Sequence, residues 1–272
     1  MRRVVESAGV ELNLEESGTG PPVVCLHGLS ATHRYVLMGS RALERAGHRV
    51  ILYDARGHGQ STPAGSPADY TYDALARDLA AVLNRSEIER AVLVGASMGA
   101  HTIARFALDS PERVAGLGLI TPAYEPDGLD GRLESWDALA DGLRDGGIDG
   151  FVAAYDLTGV ADRWRETMIT VMRQRLAAHR HLDAVADALR AVPRSRPFAG
   201  FDELAAIATP TLIVASRDEA DPTHPLATAR LWADAIPGAR LVVEEPGRAP
   251  LAWQGGQLSR LLADLRAKPA GD

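Results

Sequence analysis

Apolar residues fall into two alternating patterns along this 272-residue chain. Short continuous runs at 23–26, 50–53, 91–94, 117–120, 211–214 and 241–243 have the length and composition of strands buried on both faces. Between them, at 36–45, 72–83, 100–108, 226–235 and 257–265, apolar positions recur every three to four residues, the period of a helix with one buried face. Strand and helix in alternation predict crossover units around a mostly parallel sheet. Residues 10–15 alternate apolar and polar like a half-exposed antiparallel strand, with Val4 and Val5 as its partner. The turn-forming stretch Ser17-Gly18-Thr19-Gly20-Pro21-Pro22 ends that pair. The expectation is an α/β fold with an eight-stranded mixed sheet, two antiparallel strands and six parallel ones.

From about 122 to 208 the alternation stops and only helical periodicity remains. Leu133, Trp136, Leu139, Ala140 and Leu143 share one face; so do Trp164, Met168, Val171, Met172 and Leu176, and then Leu182, Val185, Ala186 and Leu189. Gly146-Gly147 and the Pro193–197 stretch punctuate the segments. A helical insertion after the sixth strand, beyond the sheet's carboxyl edge, predicts a lid over the crevice where such sheets bind ligands. The chain therefore divides into a core, 1–121 and 209–272, and a helical cap, 122–208.

Composition narrows the partners. A net charge of −7 argues against nucleic acid, whose binders carry a basic face. The single cysteine, Cys25, rules out an internal disulfide framework and fits a reducing compartment; inside an apolar run it reads as a buried thiol. No apolar stretch reaches the roughly 18 residues of a membrane helix, and Glu6 arrives before a signal-peptide core could form. The expectation is a cytoplasmic protein with a small-molecule substrate or ligand, no membrane or nucleic-acid partner and no cofactor: there is no dinucleotide or phosphate-binding glycine motif after a strand, and no metal-ligand spacing.

The chemistry concentrates at strand ends. The run 91–94 leads into Gly95-Ala96-Ser97-Met98-Gly99, followed by a helical stretch from Ala100. A serine on so tight a strand-to-helix turn is forced into a strained backbone and presents its Oγ at the carboxyl edge, while a side chain at Gly95 or Gly99 would collide with the crossing strand and helix. After the third strand, Leu26-His27-Gly28-Leu29 can bring the Leu29 amide beside that of Met98 as a two-donor oxyanion hole, Gly28 allowing close approach. His27 reads as a brace for this loop. Asp54-Ala55-Arg56-Gly57-His58-Gly59-Gln60-Ser61, after the fourth strand, reads as scaffold held by an internal ion pair. After the seventh strand, Asp218, Glu219 and Asp221 compete as the acid that orients a base, Asp221 first and Asp218 second.

These features together resemble the α/β-hydrolase superfamily over nearly the whole chain. The resemblance rests on His27-Gly28, on the D-x-R-G-x-G-x-S loop from Asp54 to Ser61, on the G-x-S-x-G turn, on the acidic loop and on the helical lid. It implies Ser97 as nucleophile, Leu29 and Met98 as oxyanion donors, and Asp221 or Asp218 as the acid. One member departs from the pattern. The superfamily's base is a histidine after the last strand, and here that loop reads Glu245-Pro246-Gly247-Arg248-Ala249-Pro250. Arginine, with a pKa above about 12, cannot serve as a base at neutral pH.

Among the remaining histidines, His224 lies three residues beyond Asp221 at the correct sheet edge and is the best substitute. His33 comes next, ahead of His101, His179, His181 and His48. Three functions follow, with His27, Gly28 and Arg248 as expected substrate-binding residues: a hydrolase acting on a small ester, lactone or related acyl substrate with an incomplete or rearranged triad; a binding protein holding an anionic ligand on Arg248 beside Ser97; or a biosynthetic cyclase or acyltransferase.

Overall fold

The computed structural model describes residues 1–128 and 132–265. Eight strands, β1 (Arg2–Ser7), β2 (Val10–Ser17), β3 (Pro22–Leu26), β4 (Arg49–Tyr53), β5 (Ala91–Ala96), β6 (Val114–Ile120), β7 (Thr211–Ala215) and β8 (Arg240–Val243), form one sheet in the order β1-β2-β4-β3-β5-β6-β7-β8. β1 with β2 and β2 with β4 are antiparallel; every other pair is parallel.

Side-chain alternation explains how the sheet buries both faces. In β3, Val24 and Leu26 join one core cluster while Val23 and Cys25 join the other; in β5, Leu93 goes with the first and Val92 and Val94 with the second. The first face is covered by α2 (Tyr72–Arg85), α3 (Met98–Asp109) and α7 (Leu226–Ala235), through Leu79, Ile103 and Trp232; the second by α1 (Ala42–Arg45) and α8 (Gly255–Ala263), through Leu43, Leu258 and Leu262. Each fully buried side chain of this kind contributes roughly 1.5–3 kcal/mol. Cys25 is buried among them, and burial raises its thiol pKa well above the ordinary value, so it is not a thiolate at neutral pH.

Residues 36–45 do not form the continuous helix their periodicity suggests. Met38 and Gly39 both adopt positive φ, which no helix accommodates, and only Ala42–Arg45 is α-helical.

Between β6 and β7 lie α4 (Leu133–Ala154), α5 (Asp162–Ala177) and α6 (Leu182–Ala191). α4 breaks at Gly147 (φ 60°, ψ −144°), and its two arms then pack so closely that a Cβ on Gly142 would lie 2.5 Å from the Gly150 carbonyl oxygen. The three helices share a small core of their own, built on Leu139, Leu143, Phe151, Met172, Leu176 and Leu189. His179, just past α5, ties them to the sheet: its Nδ1 accepts the Gly59 amide at 2.8 Å and its Nε2–H donates to the Ser30 carbonyl at 3.2 Å. No helix among the described residues is long and apolar enough to cross a membrane.

Register is what positions the site. Leu26 pairs with both Tyr53 and Gly95, Ala96 with Ile120, Ile120 with Val214 and Val214 with Val242. The carboxyl ends of β3 through β8 therefore lie level, and the loops that follow them converge.

Candidate active site

Ser97 occupies the turn between β5 and α3 with φ 49° and ψ −113°, a conformation a non-glycine residue adopts only where its surroundings impose it. Those surroundings are backbone. A Cβ on Gly95 would lie 2.2 Å from the Gly99 carbonyl oxygen, and one on Gly99 would lie 2.4 Å from the carbonyl oxygen of Leu26. The two glycines let helix, strand and the β3 loop pass at that separation. Gly28 continues the close approach, its missing Cβ falling 3.3 Å from the Cβ of Ser97. Neither the Leu29 nor the Met98 amide donates to a protein acceptor among the described residues. Both residues line the cleft in front of Ser97.

The loop after β7 folds back over this turn. His224 Nε2 lies 2.9 Å from Ser97 Oγ, and His224 Nδ1 lies 2.8 Å from Asp221 Oδ2. With Nδ1–H donating to the carboxylate, Nε2 is left as acceptor for the serine hydroxyl. Thr223 Oγ1 donates to the other carboxylate oxygen at 2.6 Å, fixing the acid's orientation. Burial alone would raise the Asp221 pKa, but the His224 imidazole, the Thr223 hydroxyl and the nearby Arg175 guanidinium outweigh it and hold it down to about 2.

The other candidate residues are placed elsewhere. Asp218 Oδ1 accepts the Leu226 amide at 2.8 Å at the start of α7, a helix-end role. Glu219 pairs with Arg163 of α5. His27 is sealed in the core, with Nδ1–H donating to the Gly28 carbonyl at 2.8 Å and Nε2 accepting the Ala55 amide at 2.9 Å, and burial pushes its pKa down to about 4. It braces the Gly28 loop and, unlike Gly28, does not border the cleft, which corrects its expected place in substrate binding. Arg248 is exposed and absent from the cleft wall, so an anion beside Ser97 does not meet it; its backbone closes a turn onto Glu245.

His33 is held by Asp54 (Nδ1 to Oδ1, 2.7 Å), and His101 by Tyr72 and the amides of Ala123 and Tyr124. In the Asp54–Ser61 loop the expected internal ion pair is not formed. Asp54 takes His33, and Arg56 makes a buried two-pronged pair with Asp78 of α2 (2.8 and 2.7 Å).

The cleft has two lobes that meet at Ser97 and His224. The outer, about 480 Å³, is walled by Tyr72, Met98, Tyr124 and Pro222; the inner, about 130 Å³, by Tyr35, Ile120, Phe151, Met172 and Trp253. Arg175 also reaches the inner lobe, a residue sequence reasoning missed. The signal was there: it occupies an apolar-stripe position of α5, in step with Met168 and Met172.

A family profile described as alpha/beta hydrolase fold matches residues 21–255. The chain belongs to this family. A protein of Azorhizobium caulinodans named as a carbamate hydrolase (RutD) is 31% identical over 94% of this chain and 91% of its own length. Among solved structures, Est816, described as an N-acyl homoserine lactone degrading enzyme, superposes with a TM-score of 0.73 at 28% identity over 95% of this chain and 97% of its own. A thermophilic esterase from Thermogutta terrifontis gives a TM-score of 0.78 at 27% identity, covering 96% of both.

Proposed function

We propose that this α/β-hydrolase is a serine hydrolase cleaving small esters, lactones or related acyl compounds through Ser97, His224 and Asp221. The chain is an enzyme of the hydrolase kind, as its relatives named for carbamate, lactone and ester cleavage are. The observation that carries the finer reading is the unbroken hydrogen-bonded line from Ser97 Oγ through His224 to Asp221. As Oγ attacks the substrate carbonyl, His224 Nε2 takes the serine proton and Asp221 steadies the imidazolium. The amides of Leu29 and Met98 receive the negative oxygen of the tetrahedral intermediate. Its collapse breaks the bond to the leaving group, which takes the proton from His224 and leaves an acyl ester on Ser97. Water, deprotonated by the same imidazole, then attacks that ester; the acid departs and the serine proton is restored. In this scheme segment 122–208 acts as the lid that excludes bulk water, and 1–121 with 209–272 forms the catalytic core.

The test is labelling by a fluorophosphonate, which reacts only with an activated serine. The wild type is expected to carry the label on the peptide containing Ser97, with labelling lost in Ser97→Ala and in His224→Ala. Arg248→His, in contrast, leaves the rate as it is. An unlabelled wild type, or His224→Ala labelled as fast as wild type, overturns the proposal.

A further inference from the structure

Away from Ser97, Asp221, Thr223 and His224, the inner lobe is lined mostly by apolar side chains, with Ser30 and Thr121 as further polar groups and Arg175 as its one cation among the described residues. Arg175 enters it from α5 between Met172 and Leu176, its guanidinium carbon 5.2 Å from the centroid of the Tyr35 ring. The Nε is sealed from solvent, and no N–H of this side chain reaches a protein acceptor among the described residues. No carboxylate among them lies within ion-pair distance either. The Asp221 carboxylate lines the same lobe and its charge acts on Arg175, but its two oxygens are committed to Thr223 and His224. A half-buried guanidinium whose donors meet no protein acceptor keeps them free for a ligand, and it stays charged at neutral pH. Its planar fork of donors matches a carboxylate.

We propose that Arg175 anchors a carboxylate at the far end of the substrate's acyl chain, so that the enzyme is selective for small acyl compounds carrying an anionic tail. The rest of the inner lobe fits this assignment. Tyr35, Met168, Met172 and Trp253 offer apolar contact to a short methylene chain, and the volume of about 130 Å³ admits only a few carbons between the ester carbonyl at Ser97 and the charge at Arg175. The cation–π contact with Tyr35 keeps the guanidinium beside the lobe, which reduces the freedom lost when the carboxylate arrives.

The proposal rests on the reading of this cleft as the hydrolytic site, and two measurements separate them. The first compares the mono-p-nitrophenyl ester of glutarate with p-nitrophenyl valerate, equal in chain length but neutral at the tail. Wild type is expected to favour the glutarate ester by about 10- to 100-fold in kcat/KM, the range of one charge-assisted contact. Arg175→Gln brings that ratio close to one, mainly through KM, and Arg175→Lys restores part of it. An unchanged ratio, with both esters slowed equally, means that Arg175 acts only through Asp221 and overturns the proposal. The second is calorimetric titration of the Ser97→Ala protein with monomethyl glutarate, which needs no turnover. Binding that disappears when Arg175→Gln is added supports the anchor even if neither ester is hydrolysed, in which case the catalytic reading alone fails; equal binding with and without Arg175 sinks the anchor.

Discussion

Replacing Asp221 by Asn and Asp218 by Ala separates the two acids that compete along the loop after β7. Thr223 Oγ1 donates to one oxygen of Asp221 at 2.6 Å, and His224 Nδ1 meets the other at 2.8 Å. In Asp221→Asn, with the new amide's oxygen kept on the Thr223 hydroxyl, its NH2 turns toward Nδ1. Two donors cannot share that contact, so the imidazole moves its proton to Nε2. There it faces the Ser97 hydroxyl 2.9 Å away as a donor and can no longer accept the serine proton. Ser–His–Asp sites lose about 10⁴ in kcat on this tautomer change, equivalent to ~5.5 kcal/mol of transition-state stabilisation. Asp218→Ala instead frees the Leu226 amide at the first turn of α7. That costs about 1 kcal/mol of stability and leaves the serine relay intact. Initial rates on p-nitrophenyl acetate at pH 8, with urea unfolding of each variant, check both arms. A collapse of activity in Asp218→Ala alongside a near wild-type Asp221→Asn would refute the assignment of the acid.

Three further outcomes follow from named contacts. His101 accepts two backbone amides at Nε2, and burial pushes its pKa from 6.5 to about 3, so the folded state keeps it neutral while the unfolded chain protonates it near 6.5. Stability is therefore complete above that pH and declines as the pH falls toward 3, at up to about 1.4 kcal/mol per unit for this one group. His101→Gln should flatten the dependence by that amount in urea titrations between pH 6 and 4; an identical slope contradicts the linkage. Gly99→Ala drives a Cβ to 2.4 Å from the Leu26 carbonyl and should cost about 3 kcal/mol with loss of activity, whereas at Gly146, with nothing within 4 Å, the same change should add up to about 1 kcal/mol. Thermal melts distinguish the two.

The sheet was legible because its information is local. Runs such as 91–94 announce buried strands by themselves, and a sharp turn flanked by Gly95 and Gly99 needs no distant partner to be recognised. The misread helix at 36–45 shows the converse: its apolar period is real, but Met38 and Gly39 take backbone angles that tertiary packing dictates. Asp221 and His224 could be named from their place in the chain, yet their contact with Ser97 depends on a turn in which the His224 amide bonds back to the Asp221 carbonyl at 3.3 Å, and no periodicity encodes that. Arg175 was hidden for a related reason. A charge on an apolar stripe becomes informative only once it is known that the stripe borders a cleft. Arg248 misled because matching residue for residue assumes that a function stays on its customary loop.

What the relay requires is distance, and the sheet offers two routes to it. β7 and β8 are neighbours in register, Val214 beside Val242, so the loops after them emerge at the same edge and either can reach Ser97. Carrying the base on the β7 loop puts acid and base three residues apart, inside one turn, so that whatever shifts the turn shifts both together. That loop is not isolated from the helical segment. The Ala161 amide, at the start of α5, bonds to the Glu219 carbonyl at 2.8 Å, and Arg163 pairs with the Glu219 side chain. The start of α5 is therefore joined to the loop that carries Asp221 and His224 by backbone as well as by charge. In the proposed enzyme, the helices that enclose the substrate are tied to the loop that activates the serine by a main-chain hydrogen bond, whereas the loop after β8 meets α5 through side chains, Trp253 edge-on to Trp164 at 5.6 Å.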